Sequence, residues 1–322
     1  MRVVSTSSLP IDLSAQVRAQ LPDAIVEVPN ASEQWVGLAR YDLSDVDALV
    51  CLLLDRIDAS LIARAPKLRV IANCAVGYDN VDVAAATRAG IAVTNTPDVL
   101  TDATAELTIA LMFAAARRLP EGEALVRSGR WQGWRLDELL GQPIQGRTLG
   151  IVGLGRIGIA VAERAVGLGM RIIYSGPDDV ATPFAAHRVD VDQLFATADV
   201  VSLHCPLTPE TRNLVNADRL ARMKPTAILI NTARGGCVDD GALAEALTSG
   251  GIFAAALDVF SGEPKIDPRL AAAPRLVLAP HIGSATTDAR RAMAQLCADA
   301  VIAVLTGGKP ANLVNRDVVQ RG

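Results

Sequence analysis

A strand, a glycine turn and a helix in the middle of this chain restrict its fold more than any other feature. The apolar run 149–152 predicts a buried strand, and residues 159–165 predict the helix that follows. Between them stand Gly153, Gly155 and Gly158, in G-x-G-x-x-G spacing. Such glycines permit a tight turn, a close approach of backbone to a pyrophosphate, and close helix–strand packing. The unit therefore predicts a dinucleotide site, with phosphates on the N–H groups at the positive end of the helix.

Length, charge and cysteine content further restrict the class of protein. The 322 residues allow two domains and hardly more than three, and a 50% hydrophobic content allows a sizeable core. A formal net charge of −4 argues against nucleic acid as the main partner. No apolar run approaches the roughly 18 residues of a membrane span, and no secretory signal is evident, so we expect no membrane partner and a cytoplasmic location. The five cysteines are scattered without a C-x-x-C pair, which favours reduced thiols and no metal site.

Short apolar runs alternate with helical patterns along the chain. Predicted strands precede the glycine turn at 48–54, 69–72 and 91–94 and follow it at 171–174, 200–204, 227–231, 254–258 and 276–279. The longest predicted helices are 102–119 and 287–305. This alternation predicts an α/β fold with parallel, doubly wound sheets. Because the α/β pattern begins near residue 1, we predict a dinucleotide-binding domain at 99–285, flanked by segments 1–98 and 286–322 that form the other domain.

Three histidines are candidates for proton transfer, and ligands of such sheets bind beyond the carboxyl ends of the strands. His187 follows Pro183 in a stretch with no clear pattern, and we expect it on the surface. His204 ends a predicted strand, where it either lines the cofactor cleft or is a hydrogen-bonded strand-end residue. His281 follows a predicted strand and Pro280, and the turn around it suits an acid/base role.

Two charged residues complete a candidate constellation. Glu263 follows the strand that ends near Asp258, and it either orients the histidine or is an ordinary turn glutamate. Arg234 follows another strand among small residues, where it either binds a carboxylate through two hydrogen bonds or forms a structural ion pair. Together, after successive strands beside a nucleotide site, these residues indicate hydride transfer to a 2-keto acid.

Four motifs make the chain resemble the D-isomer-specific 2-hydroxyacid dehydrogenases. In this sequence they are the glycine turn at 153–158, N-T-A-R-G at 231–235, L-D-V-F-S-G-E-P at 257–264 and P-H-I-G-S at 280–284. Within the family, the stretches 76–80, 95–102 and 131–134 make the chain most similar to the glyoxylate/hydroxypyruvate reductases. The resemblance runs from about residue 45 to about residue 315. One departure is Asp98, where the family usually has glycine. The resemblance implies two Rossmann-like or flavodoxin-like α/β domains, with the cofactor domain inserted in the substrate domain.

The resemblance also implies roles for individual residues. Arg234 would hold the substrate carboxylate and carbonyl, His281 would be the acid/base, and Glu263 would pair with it. The backbone N–H groups of Val76 and Gly77 would bind the substrate carboxylate. The residues expected at the cofactor are Gly153, Gly155, Arg156, Ile157, Gly158, Ser175, Cys205, Pro206, Thr232, Asp258 and Gly283, with Asp258 on the nicotinamide carboxamide.

The expected cofactor is NADP or NAD, with a modest preference for NADPH. Ser175 stands where an NAD-selective enzyme places an acid, 20 residues after Gly155, and serine does not repel a 2′-phosphate. No arginine follows directly to bind that phosphate, and the nearest evident cation in the sequence is Arg156. We therefore expect both cofactors to be used.

The same resemblance implies reduction of glyoxylate or hydroxypyruvate to the 2-hydroxy acid of D configuration, and it implies a homodimer. Trp131 and Trp134, in a glycine-containing loop, either anchor a subunit interface or pack over the core. One alternative is a broader D-2-hydroxyacid or phosphoglycerate dehydrogenase. Another is a catalytically weak nucleotide-sensing protein on the same fold, since fold does not imply function.

Overall fold

A computed structural model describes residues 1–33 and 35–318 of the chain. Its strands are β1 (Arg2–Ser5), β2 (Ile25–Glu27), β3 (Ala48–Cys51), β4 (Val70–Asn73), β5 (Ala92–Thr94), β6 (Thr148–Val152), β7 (Arg171–Ser175), β8 (Ala186–Arg188), β9 (Val200–Leu203), β10 (Ile228–Asn231), β11 (Ala254–Leu257) and β12 (Leu276–Leu278). Its α-helices are α1 (Leu13–Gln20), α2 (Ala59–Ala63), α3 (Val83–Arg88), α4 (Thr101–Ala116), α5 (Leu119–Arg127), α6 (Arg156–Gly167), α7 (Val191–Thr197), α8 (Ala217–Arg222), α9 (Asp240–Ser249), α10 (Pro268–Ala271) and α11 (Thr287–Leu305).

Contacts divide the chain into two compact units. The first contains Met1–Leu100 and the segment from Ala285 onward, and the second is the continuous segment Thr101–Ser284. The second unit is thus inserted in the sequence of the first. The domain roles predicted for 1–98 with 286–322 and for 99–285 concern ligands, and they stay predictions.

The first unit is built on a five-stranded sheet in the order β2-β1-β3-β4-β5, with every pairing parallel. This order is that of flavodoxin-like folds. Helix α11 packs on the central strands β3 and β4 and also on β5, burying Cys297, Val301 and Val304. After α11, the chain returns to β5, where Asn315 accepts a hydrogen bond from the Val93 N–H at 2.8 Å. The C-terminal segment therefore completes the first unit.

The second unit is built on a seven-stranded parallel sheet in the order β12-β11-β10-β9-β6-β7-β8. Buried apolar residues lie on both of its faces, in one cluster with α4 and α6 and in another with α7, α8 and α9. Two parallel sheets, each packed with helices, confirm the predicted doubly wound α/β class.

Helix starts are marked by short polar side chains that accept backbone N–H groups. The N-caps that do so are Asp12, Asp58, Asp82, Asp190, Asn216, Asp239, Asp267 and Thr286. Helices α5 and α6 differ, because their N-caps are Arg118 and Gly155 and no side chain caps either helix. The uncapped start of α6 lies at the glycine turn.

Some element bounds differ from the sequence predictions for local reasons. The strand predicted at 48–54 ends at Cys51, because Asp55 folds the chain into a turn by accepting the Leu52 N–H at 2.9 Å. His187, predicted in an irregular stretch, instead lies in the edge strand β8, although it is exposed as expected. Asp98 has a left-handed backbone with φ +70°, a conformation that favours glycine.

Candidate active site

The glycine turn joins β6 to α6 with no room for side chains at two positions. Gly153 has φ +91°, and a Cβ there would lie 2.8 Å from the backbone nitrogen of Cys205. A Cβ on Gly158 would lie 2.5 Å from the carbonyl oxygen of Gly153. The backbone of the turn is therefore packed against the residues that follow β9, the neighbour of β6 in the sheet, and against the start of α6.

The third glycine faces open space at the start of α6. A Cβ on Gly155 would meet nothing within 4 Å, and the twelve-residue helix after it begins without a side-chain cap. Arg156 and Ile157 form the first turn of that helix. An open, uncapped helix N-terminus carries the partial positive charge that favours phosphate. The residues present therefore fit a dinucleotide pyrophosphate.

Ser175 is the last residue of β7, and its carbonyl accepts the Gly153 N–H at 2.9 Å. The sheet brings a cation to this strand end that sequence reasoning missed. Arg188 on β8 donates to the carbonyl of Gly176 at 2.9 Å and to that of Pro177 at 2.6 Å. Because strand pairing places Arg188 there, nothing in the local sequence marks it.

Cys205, Pro206 and Thr232 follow the carboxyl ends of β9 and β10. Cys205 is buried, and a hydrogen bond with Cys237 together with burial raises the pKa of its thiol, so Cys205 stays neutral. Pro206 is exposed. The hydroxyl of Thr232 lies 2.9 Å from that of Thr108 on α4.

His204 ends up as a neutral, hydrogen-bonded residue. Its Nε2 lies 2.9 Å from the hydroxyl of Ser202. Burial lowers the pKa of His204 to about 4, so the ring is uncharged near neutral pH. The contact favours the strand-end alternative that the sequence left open.

His281 and Glu263 form the central pair of the second unit. Nδ1 of His281 lies 2.8 Å from Oε2 of Glu263. The other carboxylate oxygen, Oε1, accepts the Phe260 N–H at 3.1 Å. Glu263 is thus fixed by its own loop and orients the ring through Nδ1, so Nε2 is the ring nitrogen that this contact does not use.

Asp258 supports the turn that carries His281. Its Oδ1 and Oδ2 accept the N–H groups of Ile282 and Gly283, each at 2.7 Å. Its own carbonyl accepts the His281 N–H at 2.9 Å, and His281 has φ +55°. Burial raises the pKa of Asp258, while the two N–H groups act in the opposite direction. The left-handed turn at His281 is therefore held by three hydrogen bonds, all accepted by the buried residue Asp258.

Arg234 lies at the end of a turn built by Asn231, another residue that the sequence analysis did not single out. The side chain of Asn231 accepts the Ala233 N–H at 3.0 Å and donates to the Arg234 carbonyl at 2.9 Å. Arg234 itself donates from Nη1 to the Ala233 carbonyl at 2.8 Å. An asparagine at a strand end, followed by small residues, is a recognisable signal for such a turn.

Asp240 is a further residue that sequence reasoning missed. Its Oδ2 accepts the Ser261 N–H at 3.1 Å, two residues before Glu263. No hydrogen-bond partner for its buried Oδ1 occurs among residues 1–33 and 35–318. Burial, with smaller effects from Asp267 and Asp239, raises the pKa of Asp240 to about 6.

Val76 and Gly77 lie in the first unit, in the loop after β4. Three successive carbonyls of this loop accept hydrogen bonds, two of them from the side chains of Asn73 and Asn95. All other residues predicted at the cofactor or as catalytic lie in the second unit, at or after the ends of strands of the seven-stranded sheet or in the first turn of α6.

Residues 1–33 and 35–318 contain no group of three or more His, Cys, Asp or Glu side chains arranged to hold a metal ion. In the same part of the chain, no helix is both long and apolar enough to cross a bilayer.

Residues 109–283 match the family described as D-isomer specific 2-hydroxyacid dehydrogenase, NAD binding domain. The chain is also 50% identical over 290 residues to the glyoxylate reductase of Thermococcus litoralis, covering 88% of each sequence. The chain therefore belongs to the D-isomer specific 2-hydroxyacid dehydrogenase family. As a member of it, the chain is an oxidoreductase with a nicotinamide cofactor.

Solved structures of similar chains agree with this membership. A protein of Thermus thermophilus matches with a TM-score of 0.88 and 45% identity, covering 98% of this chain and 100% of that one. An NADPH-dependent glyoxylate/hydroxypyruvate reductase of Sinorhizobium meliloti, solved in complex with NADP and malonate, matches with a TM-score of 0.84 and 33% identity. That match covers 100% of this chain and 98% of the other. The family fold therefore extends over both units.

Proposed function

We propose that this protein reduces glyoxylate and hydroxypyruvate to the corresponding D-2-hydroxy acids. The observation that carries the proposal is the 2.8 Å contact between His281 Nδ1 and Glu263 Oε2, in a chain of this family. The names of relatives at 50% identity support the choice of substrate. The small side chains of Ala75, Val76 and Gly77, without an added basic cluster, favour these acids over 3-phosphohydroxypyruvate.

In the proposed mechanism, the guanidinium of Arg234 and the N–H groups of Val76 and Gly77 bind the substrate carboxylate and so orient the carbonyl. The reduced nicotinamide, when bound, supplies the hydride that adds to the carbonyl carbon. His281 donates a proton from Nε2 to the carbonyl oxygen as the C=O bond becomes C–OH. Arg234 and His281 both stabilise the negative charge that develops on that oxygen. Glu263 holds the imidazole through Nδ1 throughout.

We propose that different residues bind different parts of the dinucleotide. The pyrophosphate is bound by the glycine turn and the first turn of α6, that is, by Gly153, Gly155, Arg156, Ile157 and Gly158. The adenosine ribose is bound at Ser175. At the nicotinamide side we propose Cys205, Pro206, Thr232, Asp258 and Gly283. Asp258 already accepts two N–H groups, but each carboxylate oxygen has a second lone pair for the carboxamide.

We propose that the protein uses both cofactors, with a modest preference for NADPH. Ser175 does not repel a 2′-phosphate, and Arg188 adds a cation beside the loop that follows it. The carboxylate of Asp179, 3.4 Å from Arg188, partly offsets that charge. A solved relative is described as NADPH-dependent.

We also propose a homodimer built on the second unit. Large apolar side chains of α5 and the following loop are exposed; they are Leu119, Val126, Trp131, Trp134, Leu136 and Leu140. Trp134 is 81% exposed, which supports a role at a subunit interface over packing on the core of its own subunit. An apolar group of this size is typical of a contact with a second copy.

The test is consumption of NADPH and NADH by the purified protein with glyoxylate, hydroxypyruvate and 3-phosphohydroxypyruvate. We expect turnover of the first two acids and formation of D-glycerate from hydroxypyruvate. Cofactor binding without turnover of any acid would support the nucleotide-sensing alternative. Faster turnover of the phosphorylated acid would support a phosphoglycerate dehydrogenase.

A further inference from the structure

The loop after β4 has its carbonyl groups fixed on one side. The carbonyl of Ala75 accepts the backbone N–H of Thr96 at 2.9 Å. The next carbonyl, of Val76, accepts the side-chain amide of Asn95 at 2.8 Å. Both donors belong to the same two-residue segment after β5. Two successive carbonyls of the loop therefore point toward that segment.

Peptide geometry then sets the direction of the N–H groups. In a trans peptide the C=O of one residue and the N–H of the next point in opposite directions. Among the described residues, the one cis bond is Glu263–Pro264, so both peptides of this loop are trans. The N–H groups of Val76 and Gly77 therefore point away from residues 95–96, toward a common side.

Those N–H groups have no acceptor within the described part of the chain, and neither has the N–H of Tyr78. The carbonyl of Gly77 accepts the side-chain amide of Asn73 at 2.9 Å, which fixes the third peptide of the row. Successive unpaired N–H groups on one side of a turn form a binding site for an anion.

Asn95 is itself held in place by its backbone. Its carbonyl accepts the Asn312 side-chain amide at 2.6 Å, and its N–H donates to the Asn312 carbonyl at 3.4 Å. Its side chain is then left to hold Val76. This contact requires a donor, because the acceptor is a carbonyl, and asparagine has one where aspartate has none.

From this geometry we propose that Asn95 is a positioning residue for substrate binding: its amide holds the Val76 carbonyl so that the N–H groups of Val76 and Gly77 face the substrate carboxylate. The proposal rests on the proposed function, in which these N–H groups bind that carboxylate. Asn95 acts only through the loop and takes no part in hydride or proton transfer. Its loss therefore weakens binding of the keto acid and leaves cofactor binding unchanged.

The test compares Asn95→Ala and Asn95→Asp with a matched variant, Asn315→Ala. Asn315 also holds a carbonyl of the first unit with its amide, that of Ile91 at 2.9 Å, but this carbonyl is outside the loop. We expect both Asn95 variants to raise KM for glyoxylate about 10-fold or more. This is the effect of losing one hydrogen bond to a charged group, here between a loop N–H and the substrate carboxylate. The dissociation constant for NADPH and the kcat should change less than about threefold.

We expect Asn315→Ala to lower the midpoint of thermal unfolding while KM stays as in the wild type. A normal KM in both Asn95 variants would overturn the proposal. So would a normal KM in Asn95→Asp alone, because the donor would then be unnecessary. An equal rise in KM for Asn315→Ala would assign the effect to general loosening of the first unit, and would also overturn it.

A separate measurement keeps the proposal testable if the wild type reduces no keto acid. The backbone amide signals of Val76 and Gly77 are followed by NMR while oxamate, a non-reacting analogue of glyoxylate, is added. Shifts in the wild type that are absent in Asn95→Ala would support the anion site and its positioning by Asn95. Absence of shifts in the wild type, or equal shifts in the variant, would overturn it.

Discussion

The carbonyl carbon of Phe260 lies where a side chain on Gly235 would begin, since a Cβ at Gly235 would be 2.1 Å from it. Gly235 follows Arg234, and Phe260 donates its N–H to Glu263. Two loops with proposed catalytic residues therefore touch through bare backbone. Any side chain at Gly235 must push them apart, because the atoms it meets are main-chain atoms.

Gly235→Ala should therefore lower kcat/KM for glyoxylate by about 100-fold, the effect of a displacement near 1 Å in a catalytic group. Overpacking should also lower the free energy of unfolding by about 1–3 kcal/mol. Steady-state kinetics and urea unfolding check both. Gly167→Ala is the control, because a Cβ at Gly167 meets nothing within 4 Å and should leave activity unchanged. Equal activities of the two variants would contradict the prediction.

Loss of the imidazole at position 281 should remove proton transfer. His281→Ala should lower kcat about 10²–10⁴-fold, the usual range for a lost acid/base, with little change in NADPH affinity. Glu263→Gln should lower kcat less, because an amide still contacts Nδ1 but no longer stabilises a charged ring. His187→Ala, at an exposed edge-strand position, serves as the control and should keep normal kinetics. A near-normal kcat for His281→Ala at neutral pH would remove His281 from the role.

Features determined by short stretches of chain could be predicted from the sequence. The bounds 287–305 of α11 were predicted as they occur, because a regular apolar pattern fills the helix; in the structure, Thr286 caps it. The strand before the glycine turn and the helix after it were predicted from their apolar residues, although α6 begins three residues earlier than expected, at Arg156.

Features that depend on distant segments could not be predicted. Arg188 reaches the loop after Ser175 only because β8 pairs with β7. Asn95 and Asp240 act on loops about 20 residues away in the sequence, through hydrogen bonds to backbone groups that any residue type would supply. No side-chain pattern marks such partners, so these residues resembled ordinary turn and helix-start residues.

Removal of the cation near Ser175 should change cofactor preference. Arg188→Ala should lower kcat/KM for NADPH about 10-fold or more and leave that for NADH nearly unchanged, because only NADPH has the 2′-phosphate. The ratio of the two values with glyoxylate is the measurement. Arg171→Ala, at the opposite end of β7, tests for general effects of charge. Equal losses with both cofactors would show that Arg188 only supports the loop.

Asp240 should make stability depend on pH in an identifiable direction. Its pKa of about 6 exceeds the ordinary 3.8, so the folded state binds more protons than the unfolded state between about pH 4 and 6. The buried charge thus destabilises the fold as pH rises through 6, by at most about 3 kcal/mol. Asp240→Asn keeps an acceptor for Ser261 and should be more stable than the wild type at pH 8 but not at pH 4.

Urea unfolding of Asp240→Asn at the two pH values measures this difference. Asp23→Asn, at an exposed position, should show no pH-dependent gain. A gain of the same size at both pH values would contradict the assignment to the Asp240 charge.

Charge introduced among the exposed apolar residues of the second unit should separate the proposed dimer. Leu140→Glu with Trp134→Ser should sediment as a monomer, because a carboxylate cannot be buried unpaired in an apolar contact. Leu54→Glu introduces the same charge at an exposed leucine of the first unit and should leave the assembly intact. A monomeric wild type, or a dimeric double variant, would refute the interface.

The insertion of one unit in the sequence of the other imposes an order on biosynthesis. The sheet of the first unit is translated within the first 100 residues. Helix α11, which covers that sheet, and Asn312, which holds Asn95, are both translated after residue 284. Residues 101–284 are continuous and have all their strands before that point. On the ribosome, the second unit can therefore fold first, while the apolar face of the first sheet stays exposed until α11 is translated. The loop with Val76 and Gly77 is thus among the last parts of the enzyme to acquire its final support.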